Sequence, residues 1–176
     1  MVLSDVLVAC AVTGVVLTGT YTLLDQGLRT YTAGAARAES LQAARAALVR
    51  MSAEIRYAGR GVRSTGAAIA VAHPSQLVIE SDLDDDGTTV DRGERVTWHL
   101  DGAILRRNAG GGAQPIANGV RAHEVRYLDT AGRVTGLAME VRAVEVSLVV
   151  GPDGPESSLA RGVVARLTTR VRLRNR

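Results

Sequence analysis

Lysine and phenylalanine are absent from this chain, and cysteine occurs once, as Cys10. A single thiol excludes any disulfide within the chain, so no cross-link can stand in for a hydrophobic core. Aromatic residues make up 3% of the 176 positions, so a core must be built mainly of Val, Leu, Ile and Ala. At 46% hydrophobic and 22% charged, the composition is that of an ordinary folded protein, one domain or one domain with an appendage. All positive charge is arginine, which follows codon usage rather than chemistry. The 21 arginines stand against 18 acids, and a net charge of +3 so evenly offset gives no argument for a nucleic-acid partner. Catalytic constellations are also missing. His73, His99 and His123 stand on separate segments without metal-ligand spacing. There is no Gly-x-Ser-x-Gly elbow, no phosphate-cradling loop and no His-Glu-x-x-His. Gly110, Gly111 and Gly112 lead into neither a Lys-Ser/Thr pair nor a helix, so they read as a flexible loop. Nothing assembles a nucleophile with a base, and a non-enzymatic protein is expected.

Charge is missing from one long stretch as well. From Val6 to Leu24 no side chain is ionised. As a helix rising 1.5 Å per residue, such a run covers about 28 Å, close to the thickness of a hydrocarbon core. A secretory signal peptide calls for a basic start, a shorter apolar centre and a small-residue cleavage site. Here Asp5 opens the run, and a helix-compatible pattern continues beyond Leu24, which favours an anchor over a cleaved leader. The run is weakly apolar, with Thr13, Thr18, Thr20 and Thr22 beside Gly14 and Gly19, a composition suited to a bilayer and also to close helix packing. A carboxylate at the mouth of a membrane helix is either a functional group or a side chain reaching interfacial water.

No proline precedes Pro74, so one helix can run through the first 57 residues, with Gly27 and Gly34 as places where it could bend. Leu41, Ala44, Leu48, Met51 and Ile55 recur at spacings of three and four and form one apolar stripe. Arg37, Glu39, Arg45, Arg50, Glu54 and Arg56 lie mostly off it, and Gly59, Arg60 and Gly61 supply a stop. After Gly61 the period becomes two. Strands are expected at 67–72, 76–81, 95–100, 103–107, 119–129, 142–150 and 162–175, with an Asp-Gly hairpin turn in "LDGAI". In the last strand Val163, Ala165, Leu167, Val171 and Leu173 alternate with an arginine-rich face, which reads as solvated rather than as a partner site. "NAGGGAQP" and "GPDGPESS" read as loops. The expected fold class is therefore α+β: one long N-terminal helix, half membrane-type and half amphipathic, packed on an antiparallel β-sheet domain. The segments are 1–24 for the apolar half, 25–60 for the amphipathic half and 61–176 for the sheet.

"SDLDDDGTTVDRGERV" contains a second candidate site. Asp82, Asp84 and Asp86 alternate and are followed by Gly87, as in the first half of an EF-hand calcium loop. That pattern calls for a bidentate Glu at its twelfth position, where Gly93 stands with Glu94 one later, and Asp91 could also reach in. The flanks read as strands rather than helices, so the alternatives are a calcium loop and a solvated hairpin turn.

The order of parts, carried by "SDVLVACAVTGVVL", "LQAARAALVRMSAEIRYAGRG", "LDDDGTTVDRGERVTWHLDGAILRRNAGGGAQPIANGV" and the closing "RAVEVSLVV…LTTRVRLRN", resembles type IV pilins and type II secretion pseudopilins. Among them it is most similar to PilW-like minor pilins and the related GspJ-like pseudopilins. The family usually begins its mature form with Phe and carries Glu at the position of Asp5; this chain has Met1 and Asp5. The resemblance implies assembly rather than catalysis. Asp5 would accept from the terminal ammonium of a neighbouring subunit, which requires Met1 to be a free, processed terminus; the resemblance also implies its methylation. It further implies a single-pass inner-membrane protein with its sheet domain in the periplasm. Its partners would be other minor subunits, the major pilin, the assembly platform and, before assembly, the lipid bilayer. A single-pass anchored periplasmic binding module, with calcium or another ligand at residues 82–94, is the alternative.

Overall fold

A computed structural model describes residues 3–62, 67–152 and 164–175. Its first element is a single α-helix, α1 (Leu3–Tyr57), unbroken through Gly27 and Gly34. At 55 residues it is about 82 Å long. Burial begins only at Ser40; of the expected stripe Ala44, Leu48, Met51 and Ile55 are buried and Leu41 is half-buried, and Ala47 and Ser52 join them. Burying the larger of these side chains contributes about 1.5–3 kcal/mol each, which holds the C-terminal half of the helix to the domain. The helix ends where Gly59 adopts a left-handed φ of 77°. The Gly59 N–H donates to the Glu80 carbonyl rather than back into the helix. Asn175 caps the helix from far along the chain, its amide donating to the carbonyls of Tyr57 and Ala58.

Eight strands follow among the described residues: β1 (Ile69–His73), β2 (Gln76–Glu80), β3 (Arg95–Asp101), β4 (Ile104–Asn108), β5 (Ala113–Ala117), β6 (Val120–Leu128), β7 (Ala143–Val150) and β8 (Ala165–Arg172). A short 3-10 turn at Ala138–Glu140 precedes β7. Every pairing is antiparallel, and within each sheet the paired strands are neighbours in sequence. The fold class is α+β, as the alternating pattern implied.

Three local expectations are corrected. The strands form two sheets, β1-β2-β3-β4-β5 and β6-β7-β8, rather than one. The break falls at Gly119, whose φ of 72° turns the chain so that β6 touches β1 to β4 instead of continuing beside β5. β5 lies partly in the segment read as a loop. Pro115 is tolerated there because β5 is the edge of its sheet, where a missing N–H breaks no second ladder. In the β3–β4 hairpin Asp101 pairs with Ile104, so the two loop residues are Gly102 and Ala103. Gly102, with φ 60°, thus stands first in the turn, the glycine place of a II′ hairpin, whereas an Asp-Gly turn has it second. Most of "GPDGPESS", and Gly162 and Val163 of the last expected strand, lie outside the described residues.

The two sheets are stitched by the Val125 N–H donating to the Pro74 carbonyl and by the Tyr127 hydroxyl donating to the Gln76 carbonyl at 2.6 Å. Burial pushes the Tyr127 phenol well above its ordinary value of 10.0, which keeps the donor protonated. The common core joins Met51 and Ile55 of the helix to Ile69, Leu77, Trp98 and Leu105 of one sheet and Val120, Val144, Val146 and Leu148 of the other. Helix α1 rests on β8, β7 and β5. Glu54, on the margin of its buried stripe, reaches into the larger sheet and accepts from the indole N–H of Trp98 and from Arg107, both at 2.7 Å.

Candidate functional site

Two regions carry chemistry that the fold itself does not use. The first is the N-terminal part of α1. An 18-residue window with mean hydropathy 1.9 lies within this helix and is 0% buried, so Leu7, Val8, Val12, Val15, Val16 and Leu17 project away from the domain. Six threonines could compromise such a surface, but each hydroxyl donates to a carbonyl of its own helix: Thr13 to Ala9, Thr18 to Gly14, Thr20 to Val16, Thr22 to Gly19, Thr30 to Gln26 and Thr32 to Arg29. The polar groups are thereby satisfied inside the segment, which is what an apolar environment demands. Nothing lies within 4 Å of where side chains would start at Gly14, Gly19, Gly27 or Gly34, so the helix backbone is accessible at those four points. Asp5 occupies the first turn, where the helix dipole favours an anion. Met1 lies outside the described residues.

The second region is the loop between β2 and β3. Its base is fixed: the Ser81 N–H donates to the Glu94 carbonyl, and the Asp82 N–H to the carbonyl of Arg60 just beyond α1. Asp82 is 2% exposed, and its Oδ2 accepts from the Gly87 N–H at 2.8 Å. Its Oδ1 is buried and accepts from no described residue. Asp84 and Asp86 are exposed and accept from the Asp86 and Thr88 N–H groups respectively. One carboxylate oxygen from each of Asp82, Asp84 and Asp86 lies within 4.8 Å of the other two. A backbone hydrogen bond from Asp86 is the largest influence on Asp84 and lowers its pKa. Desolvation and the charges of Asp86, Glu94 and Asp91 together outweigh that bond, so the carboxyl sits above its ordinary 3.8.

The other two residues expected at this site are placed differently. Glu94 is 2% exposed, and its two oxygens accept from the backbone N–H groups of Leu83 at 2.7 Å and Asp91 at 3.2 Å. It latches the loop shut from below. Asp91 is exposed and lies outside the cluster of three. Five acids in the sequence thus become three convergent carboxylates, one buried latch and one surface charge. Sequence alone gave no sign that Asp82 and Glu94 are buried, because an acidic run normally faces solvent.

Among the histidines, His73 is surface-exposed and holds Ser75 through Nδ1. His123 is buried at 5% exposure, and neither ring nitrogen meets a described hydrogen-bond partner. Burial, the largest influence, pushes its imidazole below the ordinary 6.5. A histidine kept neutral in the fold but free to protonate when unfolded costs stability in acid. The unfolded chain binds the extra proton between the lowered pKa and about 6.5, so stability rises with pH through that window and is fully present above it. Melting of the full chain in detergent micelles is therefore expected to decline as pH falls below about 6.5, and His123→Leu should flatten that limb. An unchanged slope in the variant would assign the acid sensitivity elsewhere. The arginine face of β8 is exposed, and Arg166 pairs with Glu124 at 3.1 Å across the sheet, consistent with a solvated surface.

No protein-family model matches the chain, and no curated relative matches it. Among solved structures, a type IV-like pilin from Thermus thermophilus is similar at 17% identity with a TM-score of 0.49, covering 77% of this chain and 95% of that one.

Proposed function

We propose that this chain is a minor pilin or pseudopilin, of the PilW-like or GspJ-like kind, that primes assembly of a type IV pilus or secretion pseudopilus and sits at its tip. One observation carries the reading: a single helix passes without a linker from an uncovered, membrane-type half into a half docked on the domain. An ordinary anchored domain needs only a span and a tether. A rigid continuation instead fixes the domain relative to the span, which matters if the span must later pack among other helices. Threonines bonded within the helix and glycines open to close approach suit a segment that leaves lipid for a bundle.

In this reading the helix is covered first by the inner-membrane bilayer and then by other minor subunits and the major pilin, with the assembly platform driving the transfer. The sheet domain stays on the periplasmic side. Asp5 accepts from the terminal ammonium of the adjoining subunit. A carboxylate moved into an apolar bundle is costly unless paired, so the contact sets register as well as affinity. The chain acts by assembly, without chemistry of its own.

Asp5→Asn is expected to reduce the chain in sheared fibres about tenfold or more while leaving its amount in the inner membrane unchanged. Quantitative blotting of both fractions, in cells carrying the native assembly system, reads the outcome. Normal incorporation of the variant would refute the pairing. Wild-type protein confined to the membrane fraction would favour an anchored binding module instead.

A further inference from the structure

We infer that the β2–β3 loop binds a calcium ion through the carboxylates of Asp82, Asp84 and Asp86. The inference stands apart from the assembly reading, since it concerns the sheet domain alone. Convergent acids by themselves mean little on a protein surface. The informative group is Asp82, which is 98% buried (2% exposed), with Oδ1 accepting no hydrogen bond from any described residue. A carboxylate oxygen removed from water without a donor is costly, and a cation is the partner that offsets that cost. The same carboxylate belongs to the trio whose oxygens come within 4.8 Å of one another.

No arginine among the described residues pairs with these three acids. Eight ion pairs form among the described residues, and none includes Asp82, Asp84 or Asp86. The donors are all hard carboxylate oxygens with no histidine or cysteine in the group, which selects against zinc and copper. Two of the three acids are exposed, so the ion can enter from solvent and keep water in its shell. An open, irregular oxygen site suits calcium, with six to eight ligands and flexible geometry, better than magnesium, which demands a near-ideal octahedron. Glu94 is occupied by backbone N–H groups and would not close the shell as a bidentate ligand. Affinity should therefore fall in the weak range of extracellular calcium modules, about 10⁻⁴–10⁻³ M.

The site also has a mechanical consequence. The Asp82 N–H holds the Arg60 carbonyl, and a side chain at Gly61 would begin 2.5 Å from the Asp82 carbonyl. An ion on Asp82 would thus brace the point where the chain leaves α1.

Equilibrium dialysis of radioactive calcium against the full chain in non-ionic detergent micelles tests the proposal. The expected result is about one ion per chain, half-saturated at about 10⁻⁴–10⁻³ M, with magnesium competing at least about tenfold more weakly. The double variant Asp84→Asn/Asp86→Asn changes only exposed side chains, so it should fold with an unchanged calcium-free melting temperature yet bind at least about tenfold more weakly. Asp91→Asn should bind as the wild type does. Less than about 0.2 ion per chain at about 10 mM calcium, or a double variant within about twofold of wild type, overturns the site and leaves a closed structural turn.

Discussion

Glu54→Ala is expected to lower the stability of the sheet domain by about 3–5 kcal/mol. The residue is half-buried, and it is the only described contact point at which the helix offers a charge to both β3 and β4: Oε2 accepts from Trp98 and Oε1 from Arg107. Glu54 and Arg107 are 19% and 15% exposed, so solvent screens the pair only weakly. Alanine would leave an indole N–H without an acceptor in the core and an arginine without its counter-ion. The loss of both partners is what makes the effect large; an exposed pair such as Arg29 with Asp25 contributes about 0–1 kcal/mol. Glu54→Gln keeps an acceptor for Trp98 while losing the charge, so it should cost about 1–2 kcal/mol. Chemical unfolding of the full chain in micelles measures both, and a loss under about 1 kcal/mol for alanine would show that solvent replaces the lost contacts.

The second large effect is expected at Trp98. It is fully buried between the amphipathic half of α1 and the β-domain core, and its strand neighbours are Leu77 on β2 and Arg107 on β4. In a chain without phenylalanine, the core it shares is mostly aliphatic and alanine-rich, and the aromatic Tyr127 is held in place by its hydroxyl on the Gln76 carbonyl. Trp98→Ala should therefore cost about 3–5 kcal/mol, from lost transfer energy together with a cavity that closes only in part. Trp98→Phe retains most of the ring volume but deprives Glu54 of a donor, and about 1–2 kcal/mol is expected. Because Trp98 and Glu54 share one hydrogen bond, the alanine double variant should be less destabilised than the two single losses added together. Strict additivity would mean that the bond carries no net energy.

These two residues mark the limit of periodicity as a guide. The stripe from Ala44 to Ile55 was legible because helical spacing repeats a local rule, and the structure buries that face. Glu54 falls off the stripe by the same rule and reads as a solvated charge, yet it lies close enough to the margin to reach Trp98. The strands of the sheet domain were legible from alternation in β3, β6, β7 and β8. β5 was not, because Gly112 and Pro115 obscure a strand that survives only by lying at an edge.

The sequence by itself determined the uninterrupted helix, its change from uncharged to amphipathic, the antiparallel meander and the spacing of Asp82, Asp84 and Asp86. Each depends on neighbours within a few residues, so each is written in local order. Only the tertiary structure decided that the strands divide at Gly119 into two sheets and that Glu54 anchors the helix to β3 and β4. It also decided that Glu94 is a latch and that Asp82 is buried with one oxygen lacking a described donor. Burial and hydrogen-bond partnership are set by segments distant in the chain, and no local pattern encodes which of them meet.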